Sequence, residues 1–419
     1  MQKMRKMKDS GIEWIGEIPE GWEVATIGHL FSVTAGGDAK PHLYSYVQDA
    51  KHPYPVYTNS SNPNQIYAYT SAPKFNENTI TVTGRGDIGH AFYRNTKFDA
   101  IIRLLVLAPK SALDCRYYAY WIDNVSIFFT NSAAVGQLSA QQIFPYKTCY
   151  LPLCEQQSIA NHLDFYCSEI EHILADIQNS IQEYKKLKQA VITQAVTKGV
   201  RGEREMKDSG VAWIGKIPTT YSICKLKYLL KNPLKYGANE SGIPYSDSLP
   251  RYIRITDITP DGNLKCTGKL SLSEESAKDY ILEDGDILFA RSGATVGKTF
   301  IYYQSYGRSA YAGYLIKASL NNKVSPKFVY YYTCSSLYEI WKNSIFIQST
   351  IQNIGADRYA NLPVPVPKTL QEQEEIADYL DAKCAEIDKL IAKKEQLVKE
   401  LESYKKSLIY EVVTGKREV

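Results

Sequence analysis

The amino-acid sequence repeats itself once at long range. The segment Met7–Pro19 (MKDSGIEWIGEIP) returns 199 positions later as Met206–Pro218 (MKDSGVAWIGKIP), with ten of thirteen residues identical. A second pair of segments, Glu155–Asp164 (EQQSIANHLD) and Glu372–Asp381 (EQEEIADYLD), is separated by 217 positions. A repeat of about 200 residues is far longer than the ~20 to 50 residue units of solenoids and propellers. The chain therefore has two related halves, and such a chain suits a ligand that itself has two related halves.

Length and composition favour a cytoplasmic protein of two to three domains. At 419 residues, each half is long enough to bury its own core. The net charge is only +4, so any basic surface must be local. The sequence shows no apolar run of about 18 residues and no basic-then-apolar leader, which disfavours membrane and secreted proteins. Its eight cysteines form no CxxC pair, so we predict neither a zinc site nor a disulfide scaffold.

In both halves, the predicted secondary structure changes in the same way along the chain, from short strands to one long helix. Short strand-like runs separated by Gly, Pro, Asn and Asp come first and predict a compact mixed α/β domain. The predicted strands include Thr79–Thr83, Ala100–Leu107, Ile281–Arg291 and Tyr311–Ala318. A long segment without Pro or Gly follows, at about 155–196 and 372–413, and predicts a long helix. The predicted boundaries are 1–154 for the first globular domain, 155–199 for the first helix, 200–370 for the second domain and 371–419 for the second helix.

The two predicted helices share one heptad register. At a displacement of 217 positions, their apolar residues fall into two rows whose spacing alternates between three and four, as in the seam of a left-handed coiled coil. The seam residues are Leu163, Cys167, Ile170, Leu174, Ile177 and Ile181 in the first helix, and Leu380, Cys384, Ile387, Ile391, Val398 and Leu401 in the second. Two unrelated surface helices, each packed on its own domain, are an alternative that leaves the shared register unexplained.

The length of these helices predicts a spacer. A helix of about 42 residues extends about 63 Å at ~1.5 Å per residue, more than a single domain of this size needs to cover its core. Since the whole second domain separates the helices in sequence, they pair only if the chain doubles back. Heptads alone do not fix the direction of pairing, but the symmetry of the repeat favours an antiparallel pair. Two globular domains held apart by a rigid bar would result.

Glycine-rich turns occupy corresponding places in the two halves, at Thr83–Gly89 and at Ser292–Thr299. The second turn superficially resembles a phosphate-binding P-loop, but three rather than four residues separate Gly293 from Gly297. A strand-like stretch follows it where a P-loop requires a helix. We therefore interpret both turns as basic hairpin turns, able to present a cation to a phosphate or a guanine edge. An ordinary hairpin turn with solvated charges is the alternative.

Basic residues accompany these turns in both domains. Base edges and phosphates are contacted chiefly by Arg, Lys, Asn, Gln and Tyr, so the pattern is compatible with DNA binding without being diagnostic of it. The candidate DNA-binding residues are Lys74, Arg85, Arg94 and Arg103 in the first domain, and Arg251, Arg254, Arg291, Lys298, Arg308 and Lys317 in the second.

Motifs for covalent chemistry are missing from the sequence. It contains no GxSxG elbow, no HExxH, and no carboxylate and lysine constellation at nuclease-like spacing. A freestanding methyltransferase or nuclease would need such motifs, so we predict a protein without catalytic residues. A purely structural coiled-coil scaffold is the other alternative, and it leaves the basic turns without a role.

The repeated motifs resemble those of the specificity subunits of Type I restriction-modification systems. The openings at Met7–Pro19 and Met206–Pro218 look like the segment that precedes each target-recognition domain in that family. Similarity extends to the family's entry into its spacer helices, at Leu151–Asp164 and Val366–Asp381, and to the helix endings at 195–199 and 412–416. The resemblance covers nearly the whole chain, with the motifs in the right order.

This resemblance implies a non-catalytic subunit that binds double-stranded DNA. Each recognition domain would read one half of an asymmetric, interrupted site through the major groove, and the helices would set the distance between half-sites. The implied partners are two methylation subunits, which modify adenine, and two restriction subunits, which translocate and cleave DNA. S-adenosylmethionine, ATP and magnesium are expected on these partners, and no cofactor is expected on this chain. The family's recognition domains vary so much that the resemblance assigns no base-contacting residue.

Overall fold

The computed structural model describes residues 5–126, 128, 136–259, 262–293, 295–346 and 353–419. The chain divides into two compact units, and the division does not follow the two halves of the sequence. The first unit combines Met1–Gln178 with Gln396–Val419, and the second is the continuous stretch Asn179–Glu395.

Short strands and one very long helix make up the first half of the chain. The strands are β1 (Met7–Asp9), β2 (Glu17–Pro19), β3 (Glu23–Thr26), β4 (Phe31–Ala35), β5 (Tyr44–Ser45), β6 (Tyr54–Tyr57), β7 (Ile66–Thr70), β8 (Thr79–Val82), β9 (Ala91–Arg94), β10 (Asp99–Ala100), β11 (Leu105–Pro109) and β12 (Lys147–Tyr150). The helices are α1 (Ile27–Leu30), α2 (Cys115–Asn124), α3 (Ala140–Ile143) and α4 (Leu153–Lys198), with a 3-10 turn at Pro41–Leu43.

The second half has the same order of strands, with additional helices. Its strands are β13 (Met206–Asp208), β14 (Lys216–Pro218), β15 (Tyr221–Lys225), β16 (Lys235–Tyr236), β17 (Ile243–Pro244), β18 (Arg251–Ile253), β19 (Leu270–Ser271), β20 (Ile287–Ala290), β21 (Thr299–Ile301), β22 (Ser309–Tyr311), β23 (Leu315–Ala318) and β24 (Pro363–Pro367). Its helices are α5 (Glu274–Ala277), α6 (Pro326–Thr333), α7 (Ser336–Phe346), α8 (Ala356–Ala360) and α9 (Leu370–Val413), with 3-10 turns at Leu226–Tyr228, Ile255–Asp257 and Gln304–Tyr306.

The two globular domains have the same sheet topology. The first contains an antiparallel sheet ordered β4-β11-β8-β9, and the second contains β16-β23-β20-β21. A further four-stranded sheet, β10-β6-β7-β5 or β22-β18-β19-β17, includes one parallel pair in each domain, β10 with β6 and β22 with β18. The fold was therefore duplicated together with the motifs, although little sequence identity remains between these strands.

The structure corrects three of the predicted strands. Ala100–Leu107 is divided between β10 and β11 by a turn at residues 102 and 103. Tyr311–Ala318 is likewise divided between β22 and β23, and only the end of Ile281–Arg291 is a strand, as β20. Most residues of these runs are buried on both sides of the turns, so hydrophobicity alone did not reveal where the strands end. The prediction at Thr79–Thr83 is confirmed by β8.

Helices α4 and α9 pair antiparallel within each unit. In the first unit, Lys405 Nζ lies 2.6 Å from a carboxylate oxygen of Glu171, and in the second, Lys188 Nζ lies 2.6 Å from one of Asp388. As residue numbers rise along one helix, they fall along the other. Lys188 and Lys405 occupy matched heptad positions in the two helices, 217 residues apart, and both place their ammonium groups on carboxylates of the partner helix. Glycines with positive φ, Gly199 (+75°) and Gly415 (+72°), follow the two helices and end them.

The seam positions form the inward face of both helices. Fully buried seam residues are Leu163, Cys167, Ile170, Ile177 and Ile181 on α4 and Leu380, Cys384, Ile387 and Ile391 on α9, while Leu174, Val398 and Leu401 are half-buried. Each globular core contains the start of one long helix and the end of the other. In the first unit, Leu163 of α4 and Leu408 of α9 belong to one apolar cluster, and in the second, Leu380 of α9 joins Ile192 of α4.

A pair of polar residues fixes the start of each long helix to its own domain. In the first unit, Gln156 is 1% exposed; its Nε2 donates to the Leu151 carbonyl (2.8 Å) and its Oε1 accepts from the Asp114 N–H at the start of α2 (2.9 Å). The neighbouring Glu155 accepts from an Arg5 guanidinium nitrogen (2.6 Å) and from Trp22 Nε1 (2.8 Å). Partial burial opposes these bonds, but they hold the pKa of the Glu155 carboxyl below its usual value. We call this arrangement the helix-start clamp.

The second unit repeats the helix-start clamp with corresponding atoms. Gln373 donates to the Pro367 carbonyl (3.0 Å) and accepts from the Ser325 N–H at the start of α6 (2.8 Å). Glu372 accepts from Arg204 and from the Tyr221 hydroxyl. About two helical turns later, a matched aspartate is bonded by a cation and a tyrosine hydroxyl in each unit. Arg116 and Tyr120 donate to Asp164, and Lys327 and Tyr331 donate to Asp381.

Replacement of the buried glutamine of the clamp is expected to destabilise the protein. Gln156→Ala leaves the Leu151 carbonyl and the Asp114 N–H buried without partners, so the free energy of unfolding should fall by about 2–3 kcal/mol in urea titrations. The neighbouring Gln157 is exposed, and Gln157→Ala is the matched control, with an expected change within about 0.5 kcal/mol. Equal stability of the two variants would contradict the role of the clamp.

Candidate DNA interface

The glycine-rich turns predicted from the sequence are matched hairpin turns. They connect β8 to β9 and β20 to β21, and each closes with a backbone hydrogen bond, Gly89 N–H to Thr83 O (3.0 Å) and Gly297 N–H to Ala290 O (2.9 Å). Gly86 (φ +73°) and Gly293 (φ +83°) adopt left-handed conformations that glycine tolerates without strain. Residue 294 of the second turn lies outside the described residues.

A distant segment of each domain docks against its hairpin turn in the same way. The N–H of Leu138 donates to Gly84 O (2.8 Å), and the N–H of Ile354 donates to Arg291 O (2.8 Å). Through these bonds, Gln137 lies opposite Arg85, and Asn353 lies opposite Ser292, in isolated bridges. Both domains thus place an amide residue opposite the hairpin turn. The sequence prediction missed both residues because some 50 or more residues separate them from the turns.

In the first domain, the backbone of the hairpin turn is held by Asn59. Its amide nitrogen donates to Arg85 O (2.6 Å) and its amide oxygen accepts from the Gly84 N–H (2.7 Å). The side chain of Arg85 is exposed and makes no hydrogen bond or ion pair to another described residue. Arg103 is also exposed and donates to the amide oxygen of Gln137. Lys74, exposed beside the ring of Phe75, lies elsewhere in the same domain.

In the second domain, Arg291 takes the place of Gly84 in the hairpin turn. Its guanidinium carbon lies 4.8 Å from the centre of the Tyr236 ring, and its buried Nε has no partner among the described residues. The Tyr236 hydroxyl accepts from the Ala356 N–H (3.0 Å), which fixes the ring beneath the arginine. A stacked guanidinium of this kind keeps its outer donors available for a ligand.

Two predicted DNA contacts lie in the protein interior instead. Arg94 is 7% exposed; its guanidinium stacks 3.6 Å from the Tyr57 ring centre and donates to Thr81 Oγ1 (3.0 Å) and Pro63 O (2.9 Å). Burial lowers the pKa of Arg94 from its usual value. Arg251 is 9% exposed and donates to the Lys265 carbonyl (2.6 Å). These guanidinium groups support strands β9 and β18, and we leave both out of the proposed interface.

Other predicted cations are engaged by groups of their own domain. Arg254 forks onto Asp257 with bonds of 2.7 and 3.0 Å, and these bonds raise the pKa of Arg254. Lys317 lies 3.4 Å from Asp286, and Lys298 donates to the carbonyls of Ile258 and Thr259. Arg308 forms an exposed ion pair with Glu274. Since exposed ion pairs contribute little to stability, only Arg308 of these four is free to exchange its partner for a phosphate.

Neither a metal centre nor a membrane span was found in the part of the chain that the structure describes. No group of three or more His, Cys, Asp or Glu side chains there is placed to hold a metal ion. None of its helices combines the length and the apolarity needed to cross a membrane.

Duplicated mixed α/β domains, each with a basic hairpin turn and each attached to an antiparallel pair of long helices, define a two-domain recognition protein. A family model of the Type I restriction modification DNA specificity domain matches the chain twice, at residues 19–183 and 242–400. The chain belongs to this family, as a specificity subunit with two DNA-recognition domains and no catalytic function of its own.

Curated relatives agree with this assignment, and solved structures share the fold. The chain is 23% identical to the Type I restriction enzyme MjaVIII specificity subunit of Methanocaldococcus jannaschii, over 95% of this chain and 93% of that one. It is 22% identical to the EcoDI specificity subunit of Escherichia coli, over 86% and 81% of the two chains. The fold matches a chain from a structural study of complex assembly in the type I R-M system, with a TM-score of 0.72, 13% identity and coverage of 94% and 98%. It also matches the HsdS subunit from Thermoanaerobacter tengcongensis, with a TM-score of 0.51, 14% identity and coverage of 96% and 98%.

Alanine substitution of two arginines of the first domain should affect different properties, stability for Arg94 and DNA binding for Arg85. Arg94→Ala removes a buried, bonded and stacked guanidinium, so the free energy of unfolding should fall by about 2–3 kcal/mol. Arg85→Ala should leave it within about 0.5 kcal/mol and instead weaken the binding of cognate DNA. Urea unfolding and fluorescence anisotropy measure the two effects, and a stable Arg94→Ala protein that binds DNA poorly would reverse the assignment.

Proposed function

We propose that each recognition domain reads one half of an asymmetric, interrupted DNA site. The recognition domains are residues 1–154 and 200–370, and the spacer helices are residues 155–199 and 371–419. The observation that carries this proposal is the double match to a DNA specificity domain. Two domains with one topology and different side chains at their hairpin turns, Arg85 in one and Arg291 with Tyr236 in the other, suit two half-sites of different sequence.

The proposed contacts to DNA are the cations that the protein itself leaves available. They are Lys74, Arg85 and Arg103 in the first domain, and Arg291 and Arg308 in the second. The side chains of Arg254, Lys298 and Lys317 are bonded to carboxylates or carbonyls of their own domain. We therefore assign them a structural role and no contact with DNA. Phosphate contacts position such a protein on the duplex, whereas contacts to base edges determine its specificity.

The proposed protein partners are the methylation and restriction subunits of the same system. Those subunits bind S-adenosylmethionine, ATP and magnesium, and this chain directs the subunits to their DNA site. We place the docking site of a methylation subunit on an exposed apolar row of the long helices, which flanks the seam. In the first unit, this row consists of Tyr166 and Ile173 on α4 and Leu397 and Tyr404 on α9, all between 42% and 48% exposed.

Three features support this docking site. The four residues share one heptad position, which in an antiparallel pair lies on the same side of the seam in both helices. Several large exposed apolar side chains on one side of a helix pair are typical of protein interfaces. The position is also matched between the repeats, because Ile173 corresponds to Leu390, which is 37% exposed in the second unit.

A charge introduced into the row should prevent assembly. We expect Ile173→Glu to weaken copurification with the methylation subunit at least tenfold, because a carboxylate would be buried without a partner. Ala175→Glu introduces the same charge at an exposed position of α4 outside the row and is the matched control. Normal complex formation by Ile173→Glu would exclude this face as the docking site.

Methylome sequencing tests the function as a whole. A host that expresses this chain with its partner subunits should carry methylated adenines in one bipartite motif. Exchange of residues 20–150 for the corresponding domain of a related subunit should change one half of that motif and leave the other half intact. A change in both halves would contradict the assignment of one half-site to each domain.

A further inference from the structure

The turn between β10 and β11 has an unusual backbone. Ile102 (φ +48°) and Arg103 (φ +59°) are consecutive non-glycine residues in the left-handed region. Hairpin turns that need two such residues normally use Asn-Gly or Asp-Gly, and a β-branched residue is strongly disfavoured there. Burial does not explain the choice either, because Ile102 is 50% exposed. Side chains that persist in strained and exposed positions point to a function.

The corresponding turn of the second domain is built without this strain. The Ile102 N–H donates to Gly37 O (3.0 Å), and in the second domain the Gly313 N–H donates to Ala238 O (2.7 Å), which identifies the two turns as equivalent. Neither Gly313 nor Tyr314 has a positive φ. The sheet topology that the two domains share therefore does not require left-handed residues at this turn. The backbone strain occurs only in the turn of the first domain.

This turn packs directly against the hairpin turn and the docked segment. A Cβ atom at Gly84 would lie 2.7 Å from Arg103 O and 2.9 Å from Leu138 O, so only glycine permits the approach. Arg103 is bonded to Gln137, and Gln137 lies opposite Arg85 in the isolated bridge. Three segments of the chain thus bring together two exposed arginines, Arg85 and Arg103, and the amide residue Gln137. In the same hairpin turn, the carboxylate of Asp87 accepts from Ser61 Oγ (3.2 Å).

We propose that the turn Ile102–Arg103 is a base-reading element of the first recognition domain, in which Arg103 contacts the major-groove edge of a guanine. A guanine presents two acceptors, O6 and N7, that match the guanidinium fork. The amide oxygen of Gln137 orients the fork, and the left-handed backbone projects it from the domain surface. Gln137 is accordingly a positioning residue. The inference rests on the proposed function, because it assigns one base of a half-site to one side chain.

The test compares the base preference of the wild-type complex with that of Arg103 variants. Each complex, with its partner subunits, methylates a set of oligonucleotides in which every position of the half-site carries each of the four base pairs. The wild type should prefer one G·C pair by about tenfold or more, and Arg103→Ala and Arg103→Lys should both lose that preference. Lys97→Ala, which removes an exposed cation without these contacts, should keep it.

Two further results separate base reading from other roles. If Arg103 contacted a phosphate instead, Arg103→Ala would weaken the methylation of all oligonucleotides equally, and Arg103→Lys would largely keep the wild-type activity. Either result overturns the proposal. Arg103→Gly relieves the left-handed strain, so we expect its Tm to rise by about 2 °C while the base preference is lost. A purely structural arginine would lower the Tm. Because the wild-type motif is determined in the same experiment, failure of the bipartite reading is distinguishable from failure of the assignment to Arg103.

Discussion

The buried glutamine at the start of each long helix is the contact on which the rest of the architecture depends. Its two hydrogen bonds connect three elements of one domain: the strand that precedes the long helix, the helix itself, and the N-terminus of a shorter helix. With the neighbouring glutamate held by a cation and an aromatic side chain, the first helical turn has a fixed orientation on its domain. The stiffness of a long helix is useful for recognition only if its attachment to the recognition domain is equally stiff.

Comparison of the two halves of the chain distinguishes the residues that stabilise each domain from the residues that differ between the halves. Clamp, sheet order and hairpin hydrogen bonds are the same in both halves, whereas the side chains presented at the hairpin turns differ. Arg94 and Arg251 illustrate how a cation serves the frame, since each is buried and bonded to backbone carbonyls. A basic residue in these domains can therefore be a structural support instead of a candidate ligand for DNA.

The sequence predicted the architecture well because the features that determine it are periodic or repeated. The absence of Pro and Gly delimited the long helices within a few residues of their observed bounds, and the heptad spacing identified the faces on which they pair. The candidate interface was harder to predict, because it depends on contacts between distant segments. Nothing local distinguishes Arg94, which stacks on Tyr57, from Arg85, which is exposed. Nothing in the local sequence marks Gln137 and Asn353, since only their pairing with the hairpin turns brings them into the candidate interface.

The discontinuous composition of the first unit has a consequence for synthesis. Leu408, Ile409, Val412 and Val413 belong to the apolar core around Trp22 and Trp121, yet they are translated after the entire second unit. At ~5–20 residues per second, the ribosome needs roughly 10–45 s to add those intervening residues. During this time, the nascent first domain lacks the end of α9, and part of its apolar core is exposed. The second unit is continuous in sequence, so all of its residues have been synthesised before the last residues of the first unit. Folding of this protein should finish at the domain whose synthesis began first, and the unfinished core is the surface that chaperones would cover in the meantime.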